Sequence, residues 1–112
     1  MTYTNDPEEA PGPARQRRDR LYIIAAILAI ARNGSIKTHI MYRANLSFAQ
    51  LNEYLNFLLK EGLLDTDTKN KRTAYKTTLK GVKYLEHYEK ISKVLGREAP
   101  TNGSEESLFS RQ

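Results

Sequence analysis

The chain has 112 residues, 39% of them hydrophobic, with 18 Lys/Arg against 13 Asp/Glu and no cysteine. That length holds one small domain with tails, the missing cysteine excludes disulfides and thiolate metal sites, and His39 and His87 are too few and too isolated for a zinc site. The charge is uneven: residues 1–14 carry three acids and no base, residues 15–95 sixteen Lys/Arg against seven Asp/Glu, and residues 96–112 two bases and three acids. The basic excess lies in the part that can fold, which favours a polyanionic partner over a merely well-solvated surface.

Residues 1–16 contain Pro7, Pro11, Gly12 and Pro13 among acids and lack apolar periodicity, which predicts a disordered tail. A first helix is expected from about Arg17 to Arg32. Its Leu21, Ile23, Ile24, Ile27, Leu28 and Ile30 leave almost no polar face, as a central buried helix requires. The same run, behind Arg15, Arg17, Arg18 and Arg20, superficially resembles a secretion signal. It is short for a membrane span, and an acidic, proline-rich leader is wrong for a signal peptide, so a core helix is the better reading. The arginines fit either phosphate contacts or a solvated entry segment.

Asn33-Gly34 ends that helix, Ser35-Ile36-Lys37 is extended, and Thr38 is expected to cap a short second helix over Thr38 to Ala44, with Ile40 and Met41 as core candidates. Ala44-Asn45-Leu46 makes the turn, since asparagine tolerates the left-handed conformation. Ser47 and Gln50 then stand at capping-box spacing. Leu51, Leu55, Leu58 and Leu59 form a helical leucine ridge with Tyr54 beside it, and Gly62 stops the helix, which spans about residues 47–61. Gln50, Asn52, Glu53 and Asn56 fall on other faces. Amides can read base edges in a major groove, so this is read as the recognition helix of a helix-turn-helix.

Threonine and tyrosine enrichment on either side of Lys69-Asn70-Lys71-Arg72 predicts an antiparallel hairpin. A hairpin directly after a helix-turn-helix is a wing, here residues 66–73. The cations at its tip, Lys69, Lys71 and Arg72, suit a phosphate backbone or minor groove, with a charged anti-aggregation edge as the plainer alternative. Thr78 caps a last helix over about Leu79 to Leu95. Tyr84, Tyr88, Ile91 and Leu95 follow 4-3-4 spacing, the seam of a coiled coil, while Leu79, Val82 and Leu85 are placed to anchor the helix start. A homodimer through this seam is expected; the alternative is a monomer whose last helix folds back over the first. Residues 97–112 turn polar and are expected to be disordered. The organisation is therefore a tail over 1–16, a DNA-binding domain over 17–78, a dimerisation helix over 79–96 and a tail over 97–112.

These residues also resemble a known family. Ile40 to Phe48, then Tyr54-Leu55, then Leu58 with Gly62-Leu63-Leu64, then Tyr75 to Gly81, look like the small archaeal winged-helix proteins regarded as transcriptional regulators, a group that includes the chromatin-associated winged-helix dimers of Sulfolobus. The resemblance covers about Arg20 to Leu95. It implies a winged helix-turn-helix with a long C-terminal helix forming an antiparallel coiled-coil dimer, and binding to double-stranded DNA.

The fold class expected is mainly α with a small β-hairpin. The candidate DNA-binding residues are Lys37, His39, Arg43, Ser47, Gln50, Asn52, Glu53, Asn56, Lys69, Lys71 and Arg72, although for His39 a plain surface histidine is the better reading than a phosphate contact. The candidate dimer interface is Tyr84, Tyr88, Ile91 and Leu95, and His87 flanks it. There is no Gly-rich phosphate loop, nucleophile motif or paired His/Glu spacing, so neither catalysis, metal, cofactor, small-molecule substrate nor membrane is expected. The reading is a cytoplasmic, nucleoid-associated dimeric regulator that binds double-stranded DNA. Its alternatives are a protein-docking winged helix of the transcription or replication machinery, or an architectural chromatin protein.

Overall fold

The structure, a computed structural model, describes residues 19–100. The expected tail over 1–16, residues 101–112 of the expected tail over 97–112, and the arginines Arg15, Arg17 and Arg18 lie outside the described residues. The element order is α1 (Arg20–Ile30), β1 (Ser35–Ile36), α2 (Lys37–Ala44), α3 (Phe48–Lys60), β2 (Leu64–Lys69), β3 (Arg72–Thr77) and α4 (Leu79–Val94).

Asp19 caps α1, its carboxylate accepting from the Tyr22 N–H at 2.9 Å. Ile24 through Ala31 are all buried, so α1 is the central helix its composition demands. Around it Ile40, Ala44, Leu51, Leu55, Leu58, Leu63 and Leu64 complete one core. The leucine ridge of α3 thus faces inward as its spacing requires. Arg20 lies over the Tyr54 ring at 5.3 Å and joins the start of α1 to α3.

Both turns around α3 follow local chemistry. Asn45 is left-handed at φ 58°, which lets the Leu46 N–H donate to the Met41 carbonyl at 3.1 Å. The Ser47 hydroxyl accepts from the Gln50 N–H, and the Gln50 side chain accepts from the Ser47 N–H. At the far end Gly62 adopts φ 76°, so that Leu63 donates to Leu58 and Gly62 to Leu59, the paired closure of a Schellman motif.

One boundary differs from expectation. Thr38 does not cap α2: the N-cap position is Ile36, without a side-chain acceptor, and the helix begins at Lys37. The reason is tertiary. Ser35 pairs with Tyr75 and Ile36 with Ala74, so β1 is a third strand beside β3, and the helix must start where that pairing stops. The hairpin is therefore part of a three-stranded antiparallel sheet of order β1-β3-β2.

The junction between sheet and α4 is heavily tied. Thr77 donates its hydroxyl to the Leu28 carbonyl at 2.7 Å and its N–H to the Ala31 carbonyl, anchoring β3 to α1. Thr78 donates to the Gly62 carbonyl and accepts from the Gly81 N–H, so one hydroxyl caps α4 and closes α3. Lys80 reaches the Glu61 carbonyl at 2.7 Å, a cation on the C-terminal end of α3. A Cβ on Gly81 would lie 2.5 Å from both the Leu63 carbonyl oxygen and Thr77 Cγ2; only glycine permits this approach.

The face that α4 turns to the body of the domain is the expected one only in part. Leu79 does not anchor the helix start: it is 83% exposed, while Val82 and Leu85 are half-buried. The inward stripe is Gly81, Leu85, Tyr88 and Ser92, again at 4-3-4 spacing. Gly81 and Ser92 are small, so this side can approach closely, whereas a seam read from bulky apolar residues passes over them.

Candidate nucleic-acid interface

Opposite its leucine ridge, α3 presents Ala49, Glu53, Asn56 and Lys60, all exposed. Gln50 and Phe57 flank this stripe and are exposed, while Asn52 is half-buried at its margin. The amide-bearing side of α3 therefore lies open. Of the residues singled out from the sequence, Glu53 and Asn56 stand furthest out. Gln50 has a second occupation: its Oε1 already accepts from the Ser47 N–H at 2.9 Å. A bidentate grip on adenine needs the whole amide, so it would open the cap. The Ser47 hydroxyl accepts from the Gln50 N–H at 3.1 Å, and its own hydrogen remains a donor.

The start of α2 meets the end of β3 nearest the wing tip along one edge. Ile36, Lys37 and Thr38 line a groove of about 250 Å³ together with Arg72 and Thr73 of β3. The β1–β3 pairing brings them together, although 34 positions separate Thr38 from Arg72. Lys37 also extends over the Phe48 ring, its Nζ 4.8 Å from the centroid. Because α2 lacks a side-chain cap, its first amides add positive potential at this edge. His39 and Arg43 are exposed on α2.

At the wing tip Lys69 faces Arg72 across a two-residue turn, Asn70-Lys71. Both turn residues are left-handed, at φ 52° and 64°, as a type I′ turn demands. Lysine is an unusual occupant of such a position, and the turn projects its ammonium to the extremity of the hairpin. Lys69 sits 3.8 Å from Asp67 with both side chains well exposed, a contact worth little in water and easily exchanged. Lys71 and Arg72 are exposed.

Sequence reasoning passed over Phe48, Ala49, Thr38, Thr73 and Lys60. Phe48 stands three and seven residues before Leu51 and Leu55, so its spacing reads as part of the leucine ridge and hides its exposure; the groove residues carried no signal, being assembled by strand pairing.

The four seam residues of α4 divide. Tyr88 is buried, and Tyr84 is half-buried with its hydroxyl donating to the Leu21 carbonyl at 2.9 Å. Their rings lie 6.3 Å apart and nearly parallel. Burial first, then the neighbouring Tyr88 and Asp19, raises the Tyr84 pKa from 10.0 to about 12. Ile91 and Leu95 continue the same side of the helix but are 55% and 57% exposed, next to the exposed Val94. Arg97 turns back to Asp19 at 3.9 Å. His87 is exposed. Among the described residues no group of three His, Cys, Asp or Glu is arranged to hold a metal, and no helix is long and apolar enough to cross a membrane.

The model of the winged helix-turn-helix family matches residues 17–96. This chain is a member of that family. A relative from Methanocaldococcus jannaschii, the uncharacterized protein MJ0287, is 37% identical over 76 residues, covering 67% of this chain and 75% of its own. Among solved structures this winged helix is similar to Sso10a-2, a DNA-binding protein from Sulfolobus solfataricus, with a TM-score of 0.64, 28% identity, and 84% and 88% of the two chains covered. ZitR of Lactococcus lactis in complex with DNA superposes with a TM-score of 0.54 at 14% identity, over 92% of this winged helix and 68% of its own chain; that likeness concerns the fold alone.

Proposed function

We propose that this winged helix binds double-stranded DNA as a dimeric transcriptional regulator of the cytoplasm and nucleoid, and is not an enzyme. Helix α3 lies in the major groove and the wing, residues 66–73, against the backbone or minor groove. The observation that carries this is the open stripe of α3 together with the edge on which Lys37 meets both the Phe48 ring at the start of α3 and the groove it shares with Arg72. Cations Lys37, Arg43, Lys69, Lys71 and Arg72 hold phosphates and release counterions, with His39 and the Ser47 hydroxyl as further backbone donors. Glu53 and Asn56 are the primary base readers, Asn52 a marginal one, and Gln50 mainly holds the helix start. The likeness to Sso10a-2, a DNA-binding protein, supports this reading. Dimerisation uses the exposed Ile91 and Leu95 beyond the part of α4 that packs on α1, with Tyr84 and Tyr88 at the root of the seam.

Titrating duplex DNA across a salt series tests the proposal: the logarithm of the binding constant falls linearly with the logarithm of salt. Replacing Lys71 and Arg72 by alanine weakens all duplexes alike and reduces the slope by about 2 for each wing engaged. Binding that ignores salt, or none at low salt, overturns it. A genomic site held more tightly than random duplex at fixed salt separates a regulator from an architectural protein.

A further inference from the structure

Phe48 is the first residue of α3 and stands in register with Leu51 and Leu55, yet it is 58% exposed and lies outside the core. Ala49, next to it, is exposed as well. The first turn of the recognition helix therefore offers an apolar surface where a purely polar reader would carry amides or cations. One side of the ring is taken by the Lys37 ammonium at 4.8 Å. Lys37 in turn lines the groove shared with Arg72. Whatever covers Phe48 must present an apolar group within a few ångströms of negative charge. An apolar protein surface would bury the Lys37 charge without a partner, which is costly. In duplex DNA the two chemistries adjoin: the C5-methyl of a pyrimidine lies in the major groove, within reach of the flanking phosphates.

Resting on the DNA-binding reading above, we propose that Phe48, with Ala49, is a specificity residue that reads a pyrimidine C5-methyl in the major groove while Lys37 holds an adjacent phosphate. The methyl meets the ring and Ala49 Cβ, loses its hydration and favours thymine at that step. Uracil keeps every hydrogen-bonding group of thymine and lacks only the methyl, so the contribution can be isolated. Covering one methyl group corresponds to about a fourfold gain in affinity.

The probes are duplexes of alternating dA and dT and of alternating dA and dU, about two helical turns long, titrated at one fixed low salt concentration. The wild-type chain is expected to bind the thymine duplex about fourfold more tightly per methyl covered. In Phe48→Ala the thymine-to-uracil ratio falls to near one. The salt slope stays unchanged, because no charge is removed. Phe48→Leu keeps part of the ratio, and circular dichroism of both variants verifies folding. Cytosine against 5-methylcytosine, in an otherwise identical duplex, distinguishes the two natural sources of the methyl. Equal wild-type binding to both alternating duplexes, or a ratio that survives in Phe48→Ala, overturns this inference and leaves the DNA reading intact. Binding to none of the duplexes overturns both.

Discussion

The wing tip offers a test in which stability and binding move in opposite directions. Lys71 is left-handed at φ 64° in a two-residue turn whose second position is best filled by glycine. A side chain in that region costs about 1–2 kcal/mol, and glycine removes the penalty. Glycine also loosens the unfolded chain, which takes back about 0.4–1 kcal/mol. Lys71→Gly is therefore expected to stabilise the fold by about 0.5–1 kcal/mol, or roughly 2–8 °C in Tm for a domain of this size. The same substitution removes the cation at the extremity of the hairpin. Affinity for every duplex falls, and the salt slope drops by about 0.9 for each wing engaged. Lys71→Asn is the control, since asparagine tolerates the left-handed region and also lacks the charge. Thermal denaturation of the free protein and salt-dependent titration of duplex DNA read the two effects separately. A lower Tm for Lys71→Gly refutes the strained turn, and an unaltered salt slope refutes the phosphate contact.

Four further outcomes are expected. Gly81→Ala adds a methyl 2.5 Å from the Leu63 carbonyl and Thr77 Cγ2; overpacking of about 1–3 kcal/mol outweighs the roughly 1 kcal/mol gain in helix propensity, and a thermal melt shows a lower Tm. Tyr84 titrates near 12 in the fold against 10.0 when unfolded, so its contribution is full below pH 10 and is lost as pH climbs through 12; in urea titrations the stability advantage of wild type over Tyr84→Phe shrinks across that window. Gln50→Ala lowers stability by about 1 kcal/mol, through the lost half of the capping box, with little change in sequence preference, whereas Asn56→Ala leaves the melt unchanged and relaxes the preferred site. Ile91→Arg with Leu95→Arg converts a dimer to a monomer in analytical ultracentrifugation without loss of helical signal, because both positions lie outside the core; a dimer that survives removes the seam.

The site was only partly legible in advance. The open side of α3 follows from the leucine ridge, because a helix buried on one stripe exposes the opposite one. The dual use of Gln50 was visible as spacing, but that its oxygen is engaged depends on the cap forming. The groove beside Lys37 was invisible, because Arg72 and Thr73 arrive there by β1–β3 pairing.

What the amino-acid order alone determined are the features decided within three or four residues of backbone. The Ser47–Gln50 box, the left-handed Asn45, the stop at Gly62 and the Thr78 cap each satisfy helix-end groups with neighbours in the chain. Tertiary structure decided whatever depends on which surface comes close. It started α2 at Lys37 rather than Thr38, because Ile36 is held by β3. It turned Gly81, Leu85, Tyr88 and Ser92 of α4 inward and left Ile91 and Leu95 outside, because close approach is governed by small residues that a count of bulky apolar ones overlooks.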